Sequence, residues 1–382
     1  MGETSNTGDL VSFVETLYKQ GIPEQQFSKS VGRFLEHKAR ESRIPLIGTF
    51  ELTPLCNLDC KMCYVHLNSG QFDKKKLIKA DVWKDLMQQA YDAGMRQAKL
   101  TGGECLTYPE FDEVYLFLEK KKIRINLATN GILLDDKRID FFKKHPPKAI
   151  QVSLYGGSEQ TYEMVTGHRC FGIIYQNLLN LSKSNLPVTI AITPNQYMIK
   201  DIDNIFDIAE SLDIPYRVNS LLINPRSNTG RQVEDLSNSD YTSVFKKWNE
   251  RKNNKLIPID PEELPLANQN GKERYGMQCG AGRSSFTIMY NGKMCPCVSM
   301  DELTADPCKE GFVNAWKKIV HLADEYQLPA ECGDCLYRRV CLICPAAHKN
   351  ADRAGHCDTR ICEQTKGYVS AGIVPFFQPE NN

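Results

Sequence analysis

Long apolar runs are missing from this 382-residue sequence, and none approaches the roughly 18 residues that a membrane-spanning helix needs. The opening MGETSNTGDLVSFVETLYKQ also lacks a basic segment followed by an apolar one, so no secretory signal is read there and a soluble, cytoplasmic chain with no membrane partner is expected. An excess of either charge is missing too. Lys plus Arg and Asp plus Glu number 47 each, which removes the basic footprint of a nucleic-acid binder and the acidic bias of a solvating tail. Repeats and low-complexity tracts are absent, so a solenoid or array is excluded. The length fits one large domain or two to three modest ones. Without a secretion signal, the fifteen cysteines are poorly explained as disulfides, because a reducing compartment gives disulfides little chance to persist. Metal ligation explains them better.

What is present is clustered. Cys56, Cys60 and Cys63 form one group, Cys105 and Cys170 stand alone, and ten cysteines fall between Cys279 and Cys362. Such grouping points to two metal-bearing regions separated by a cysteine-poor body. The first group lies in ELTPLCNLDCKMCYVHLN, residues 51–68, with the spacing C-x3-C-x2-C and no fourth cysteine nearby. A structural zinc or an ordinary four-iron cluster takes four protein ligands. Three close thiols therefore describe a centre with one position left for something other than protein. A three-cysteine zinc site completed by His66 is the competing reading of the loop alone. The spacing resembles the cluster loop of the radical SAM enzymes. That resemblance implies that the three cysteines hold three irons of a [4Fe–4S] cluster and that S-adenosylmethionine chelates the fourth. It further implies reductive cleavage of this cofactor to a 5′-deoxyadenosyl radical, which takes a hydrogen atom from an unreactive C–H bond.

Residues 1–45 read as a helical segment: apolar residues recur at three and four in GDLVSFVETLYKQG and EQQFSKSVGRFLEHKARES, with Gly21 and Pro23 between them. Over residues 46–235 the strands IGTFELTP, QAKLTGG, RINLATNG, AIQVSLYG, PVTIAITP and PYRVNSLLI alternate with amphipathic helical stretches. Six βα units allow either a partial barrel or a doubly wound sheet. The resemblance implies an α/β fold of the first kind, a partial (β/α)6 TIM-like barrel, with its active site at the C-terminal ends of the strands. Thr101-Gly102-Gly103-Glu104 follows the second strand and resembles the family's GGE motif. There the glycines let backbone approach the cofactor, and the acidic residue and carbonyls hold the methionine ammonium. Asn130, in Thr129-Asn130-Gly131 after the third strand, either presents its amide to ribose or substrate or belongs to an ordinary turn. Ser153 matches the position at which relatives contact the cofactor's ribose or carboxylate. Arg169 is the nearest arginine able to fork onto that carboxylate, and Leu221 or Leu222 would pack on adenine. Two positions depart from the pattern. Met62 precedes the third cysteine where an aromatic is common, and Cys105 follows the GGE where proline is common.

Residues 236–275 are polar, with one amphipathic helix and then Pro-, Asn- and Gly-rich connections, and read as a bridge. Residues 276–382 hold the second cysteine set. SSFTIMY alternates like a strand and NG marks a hairpin turn. Cys279, Gly292 and Cys297, followed by Cys332, Cys335, Cys341 and Cys344, resemble the SPASM domain found behind many radical SAM barrels, except that the last interval is two residues instead of three. Paired C-x2-C units also resemble a zinc knuckle. By the resemblance, Cys332, Cys335, Cys341 and Cys362 hold an outer [4Fe–4S] cluster, and Cys279, Cys297 and Cys344 an inner one. Cys357 competes with Cys362 to close the outer cluster. The inner cluster's fourth ligand is Cys295, Cys357 or none. A closing helix follows Cys362.

The resemblance thus implies an enzyme with S-adenosylmethionine, one cofactor-binding [4Fe–4S] cluster and two auxiliary clusters, acting on a peptide or protein. A one-electron donor such as flavodoxin or ferredoxin is implied, as is a thioether or carbon–carbon crosslink in a ribosomally made peptide. A sulfatase-maturing enzyme shares the architecture, but relatives of that type place aspartate directly after the cysteine matching Cys297, where this chain has Val298. A dehydrogenase or epimerase acting on a small molecule, and a non-enzymatic iron–sulfur carrier or zinc scaffold, remain open on sequence.

Overall fold

The computed structural model describes residues 12, 14, 19, 24–65, 67, 72–219, 236–253, 279–328, 330–333, 335–339, 341 and 359–373. Of the two helices expected at the front, the second is α1, Glu24–Glu41; the first falls almost entirely outside the described residues.

Each of the six expected strands forms. They are β1 (Ile47–Glu51), β2 (Gln97–Thr101), β3 (Arg124–Thr129), β4 (Ala149–Ser153), β5 (Val188–Ile192) and β6 (Tyr216–Val218). The helices between them are α2 (Ala80–Asp92), α3 (Phe111–Lys120), α4 (Asp136–Lys144), α5 (Glu159–Thr166), α6 (Phe171–Ser182) and α7 (Ile202–Ser211). Local chemistry sets several of the starts. Asp135 accepts the Arg138 amide at 2.8 Å and Ser158 the Thr161 amide at 3.2 Å, capping α4 and α5. Gly167, with φ of 72°, ends α5 in the left-handed conformation.

The sheet runs β6-β5-β4-β3-β2-β1-β7-β8, with β1 to β6 all parallel. Sequence neighbours are spatial neighbours throughout the six, with no reversal of order. A doubly wound sheet reverses at a switch point, so the strand order decides for the open, partial barrel. Side chains alternate across the strands. Phe50, Leu100, Leu127, Val152 and Ile190 are buried in the layer between sheet and helices, where Trp83, Phe111, Phe142, Ile174 and Phe206 join them. The intervening residues, among them Thr49, Lys99, Gln151 and Ser153, face the inside. The inward face of these strands is therefore polar while their outward face is apolar.

The sheet also crosses the expected bridge. After α8 (Asn238–Arg251), strand β7 (Ser285–Ile288) pairs parallel with β1, from Ile47↔Ser285 to Phe50↔Ile288. It then turns through Gly292, at φ 80°, into the antiparallel β8 (Met294–Cys295). Phe286 packs edge-on between Phe50 and Phe312, at ring-centroid distances of 5.9 and 5.0 Å. Helix α9 (Phe312–Glu325) is fixed to the front of the barrel by the Trp316 indole donating to the Arg43 carbonyl at 2.7 Å and by the Arg43–Asp324 pair. Helix α10 (Thr359–Ser370) packs on α8 through Phe245 and Tyr368, 5.1 Å apart. Among the described residues no helix is long and apolar enough to cross a membrane.

Candidate active site: the cysteine loop and the barrel lumen

The chain leaving β1 reaches Cys56 alongside the Gly-Gly segment that leaves β2. Gly103 donates its amide to the Thr53 carbonyl at 2.7 Å, and Glu104 donates to that of Leu55 at 2.8 Å. A side chain on either glycine would obstruct this pairing. A Cβ on Gly102, whose φ is 149°, would lie 2.3 Å from the Thr53 oxygen, and one on Gly103 would lie 2.4 Å from that of Leu55. The glycines thus seat the cysteine loop as well as lining the cavity. On its other side the loop is tied to the end of α5: Asp59 and Lys61 donate to the carbonyls of Thr166 and Val165, both at 2.9 Å.

Glu104 is wholly buried, and its carboxylate accepts from Leu106 N at 3.0 Å, Thr129 Oγ1 at 2.9 Å and Asn130 N at 2.7 Å. It does not line the cavity. Burial pushes its carboxyl above the usual range, and these donors work against that. The residue expected to meet the cofactor ammonium thus also locks the end of β2 to the turn after β3. That turn reaches the first cysteine. Asn130 Nδ2 donates to Asn57 Oδ1 at 2.7 Å and to Cys56 Sγ at 3.6 Å, and Leu58 N donates to the same sulfur at 3.4 Å. Burial, then the Glu104 charge, pushes the Cys56 thiol up to about 12, so a metal bound there would have to displace its proton.

One cavity of about 740 Å³ runs from this loop into the lumen, within the roughly 300–1,000 Å³ usual for small-molecule sites. Cys56, Cys60, Met62 and Cys63 line its upper end, with Gly102, Gly103, Asn130 and Ser153 beside them. Tyr155 also lines it, and burial, then the Cys60 sulfur, pushes its phenol well above the usual range. Nothing in the sequence singles Tyr155 out, except that it stands two residues after Ser153 and so shares its face. Phe245 and Trp248 of α8 form one wall, and Cys297 and Val298, just beyond β8, form another. Residues from the expected bridge and second domain are therefore part of the same chamber.

Arg169 is not. Its side chain is 71% exposed and paired with Glu163 at 3.4 Å, two residues beyond the left-handed Gly167. The structure places Arg169 outside the cavity that would receive the cofactor carboxylate. Leu221, Leu222, His66, Cys344 and Cys357 lie outside the described residues; Val218 and Asn219, at the end of β6, do line the cavity.

In the C-terminal region Cys295 is wholly buried in the hairpin, its thiol donating to the Cys297 carbonyl at 3.2 Å. Thr365 on α10 donates to Cys341 Sγ at 3.6 Å, and Cys362 stands one turn earlier on the same helix. Cys332 is buried, Cys335 half-buried, and Cys279 and Cys308 are exposed. Among the described residues no three His, Cys, Asp or Glu side chains converge on a single-ion position.

Residues 50–236 match the model of the radical SAM superfamily. This part of the chain is a radical SAM domain. The chain is 24% identical over 324 residues to the AdoMet-dependent heme synthase of Methanosarcina barkeri, covering 79% of this chain and 91% of that protein. It is 24% identical over 264 residues to the sporulation killing factor maturation protein SkfB of Bacillus subtilis, covering 67% of this chain and 61% of SkfB. In fold it matches Streptococcus suis SuiB bound to its precursor peptide SuiA, with a TM-score of 0.62 and 17% identity over 81% of this chain and 73% of SuiB.

A radical SAM enzyme uses S-adenosylmethionine and a [4Fe–4S] cluster, and the chamber fits both. Its three thiols stand at one end of a cavity of small-molecule size, next to glycine backbone and to the polar side chains of Asn130 and Ser153. Three cysteines around a cluster each take a different iron, so they need not converge on one point.

Proposed function

We propose that this radical SAM enzyme matures a ribosomally made peptide, forming a thioether or carbon–carbon crosslink. The observation that carries the reading is the single chamber joining the three-cysteine loop to Cys297 across an open lumen. A peptide residue entering that lumen has the radical-generating end on one side and the C-terminal domain on the other. The name of SkfB and the SuiA-bound form of SuiB support a peptide as substrate.

In this reading Cys56, Cys60 and Cys63 hold the first cluster, and Gly102, Gly103, Asn130 and Ser153 border S-adenosylmethionine. Bound there, cluster and cofactor supply a 5′-deoxyadenosyl radical on receipt of one electron from a donor such as flavodoxin or ferredoxin. The chain's own residues do the rest. Asn130 and the Leu58 amide hold the Cys56 sulfur in place. Met62, which is buried, and Phe245 and Trp248 wall the lumen with apolar surface that limits access of water to a reactive carbon. Cys332, Cys335, Cys341 and Cys362 hold an outer auxiliary cluster, a grouping supported by the Thr365 link from α10 to Cys341. Cys279, Cys297 and Cys344 hold an inner one. Its fourth ligand is Cys295, whose thiol sits inside the hairpin beside Cys297, or Cys357, or a non-protein group. Clusters held by these cysteines would supply a sink for the electron that crosslink formation releases. Val298 lines the chamber, and no aspartate or glutamate does among the described residues, which disfavours the sulfatase-maturing alternative.

The test is replacement of Cys56, Cys60 and Cys63 by alanine. Deoxyadenosine formation should vanish while the iron of the C-terminal region is largely retained, read by product chromatography and iron analysis. The wild type, co-expressed with a short cysteine-rich peptide encoded beside its gene, should yield peptide lacking two hydrogens per crosslink. Unchanged cleavage of S-adenosylmethionine in the triple variant refutes the site.

A further inference from the structure

The barrel lumen carries charge of one sign. Lys99 of β2 and Arg217 of β6 both line the cavity, and no carboxylate does among the described residues. Glu51 and Glu104, buried at the top of the barrel, lie outside that lining. Arg217 donates to the side-chain oxygen of Gln151 on β4, a neutral partner. Burial, followed by the charge of Arg217, holds the Lys99 ammonium below its usual value, and burial does the same to Arg217. Lys99 is half-buried and Arg217 exposed, and among the described residues the cavity lining offers neither of them a carboxylate, so the like charges are left to be offset by solvent or by a ligand. The packing does not call for them, since Thr49, Ser285 and Thr287 line the same cavity with small neutral side chains.

Their depth is informative. Lys99 stands two residues before Thr101, Gln151 two before Ser153, and Arg217 two before Asn219. Each therefore lies roughly 6–7 Å along its strand from the rim, which the cysteine loop and the Gly-Gly segment occupy. A lysine and an arginine flanking an amide are a donor set for a carboxylate, and the guanidinium can fork onto both of its oxygens.

We infer that Lys99, Arg217 and Gln151 form a carboxylate-binding subsite for the substrate peptide, deeper in the lumen than the cofactor. The inference rests on the maturase reading above and adds a substrate class to it: a peptide that presents an acidic side chain or its own C-terminal carboxylate. The bound anion neutralises the two cations and fixes which residue of the peptide stands beneath the rim.

The test uses the reconstituted holoenzyme with S-adenosylmethionine and four fluorescent heptapeptides. Two have both ends capped and differ only in a central Glu or Gln, and two have a central Gln and differ only in a free or amidated C-terminus. Anaerobic anisotropy titrations should show the Glu-centred or the free-ended peptide binding at least about tenfold more tightly than its neutral twin, the loss expected for one charge-assisted contact. Which of the two gains identifies the source of the carboxylate. In the variant carrying Lys99→Met and Arg217→Met the gap should close while S-adenosylmethionine retention stays at the wild-type level. Equal binding of all four peptides, a gap that persists in the variant, or loss of S-adenosylmethionine retention with the cations overturns the inference. Deoxyadenosine formation by the wild type is measured alongside. If it is present while discrimination is absent, this inference alone falls; if it is absent, the maturase reading falls and takes the inference with it.

Discussion

At the scale of single residues, the site depends on side chains that hold the cysteines as much as on the cysteines themselves. Cys56 Sγ receives hydrogen bonds from Leu58 N and Asn130 Nδ2, and Asn130 is held in turn by its amide on Glu104 and its side chain on Asn57. Hydrogen bonds to a ligating sulfur favour the more negative, reduced cluster and raise its potential. Replacing Asn130 with alanine removes one such bond while leaving the backbone contact to Glu104 in place. The potential of the first cluster should fall by about 20–60 mV, the equivalent of roughly 0.5–1.5 kcal/mol for a one-electron couple, as read by redox titration followed by electron paramagnetic resonance. An unchanged potential would mean that the Asn130 contact is lost once the cluster is in place. The C-x3-C-x2-C spacing was legible because it is local. The role of Glu104 was not, because its partners Thr129 and Asn130 arrive from the end of the next strand.

At the scale of elements, the decisive contact is β1 with β7. It makes the first strand of the barrel and the first strand of the C-terminal region neighbours within one sheet, and Phe286 cements them between Phe50, Phe312 and Trp316. Phe286→Ala should destabilise the protein by about 3–5 kcal/mol, the usual cost of emptying a buried aromatic position. It should also loosen the seat of Cys297, so that less C-terminal iron survives gel filtration than in the wild type. Full iron retention would show that the C-terminal region holds its metal independently of the sheet. The six parallel strands were legible from their alternation and their spacing by amphipathic helices. β7 was legible as a strand but not as a partner of β1, because the pairing joins segments more than 230 residues apart and leaves no local signal. Arg169 shows the same limit from the other side. It follows Ser153 by a loop and the whole of α5, and its side chain faces solvent beside Glu163.

At the scale of the whole molecule, one chamber touches both cysteine-bearing regions, with the radical-forming loop and Cys297 both in its lining. Such a layout separates two tasks that a crosslinking reaction needs, removal of a hydrogen atom and removal of an electron from the carbon that remains. If Cys297 belongs to the second task, its loss should leave the first intact. Cys297→Ala is expected to form deoxyadenosine at a rate within about threefold of the wild type. The crosslinked peptide should fall by two orders of magnitude or more, about 2.7 kcal/mol or more on the barrier. Deoxyadenosine by chromatography and the two-hydrogen mass loss by mass spectrometry, taken from the same reaction, read the two tasks separately. Parallel loss of both would assign Cys297 to the integrity of the chamber wall instead, since Val298 and Phe286 line it too and would shift with the hairpin. Persistence of both would remove the C-terminal region from the chemistry and leave the electron to depart by way of the first cluster.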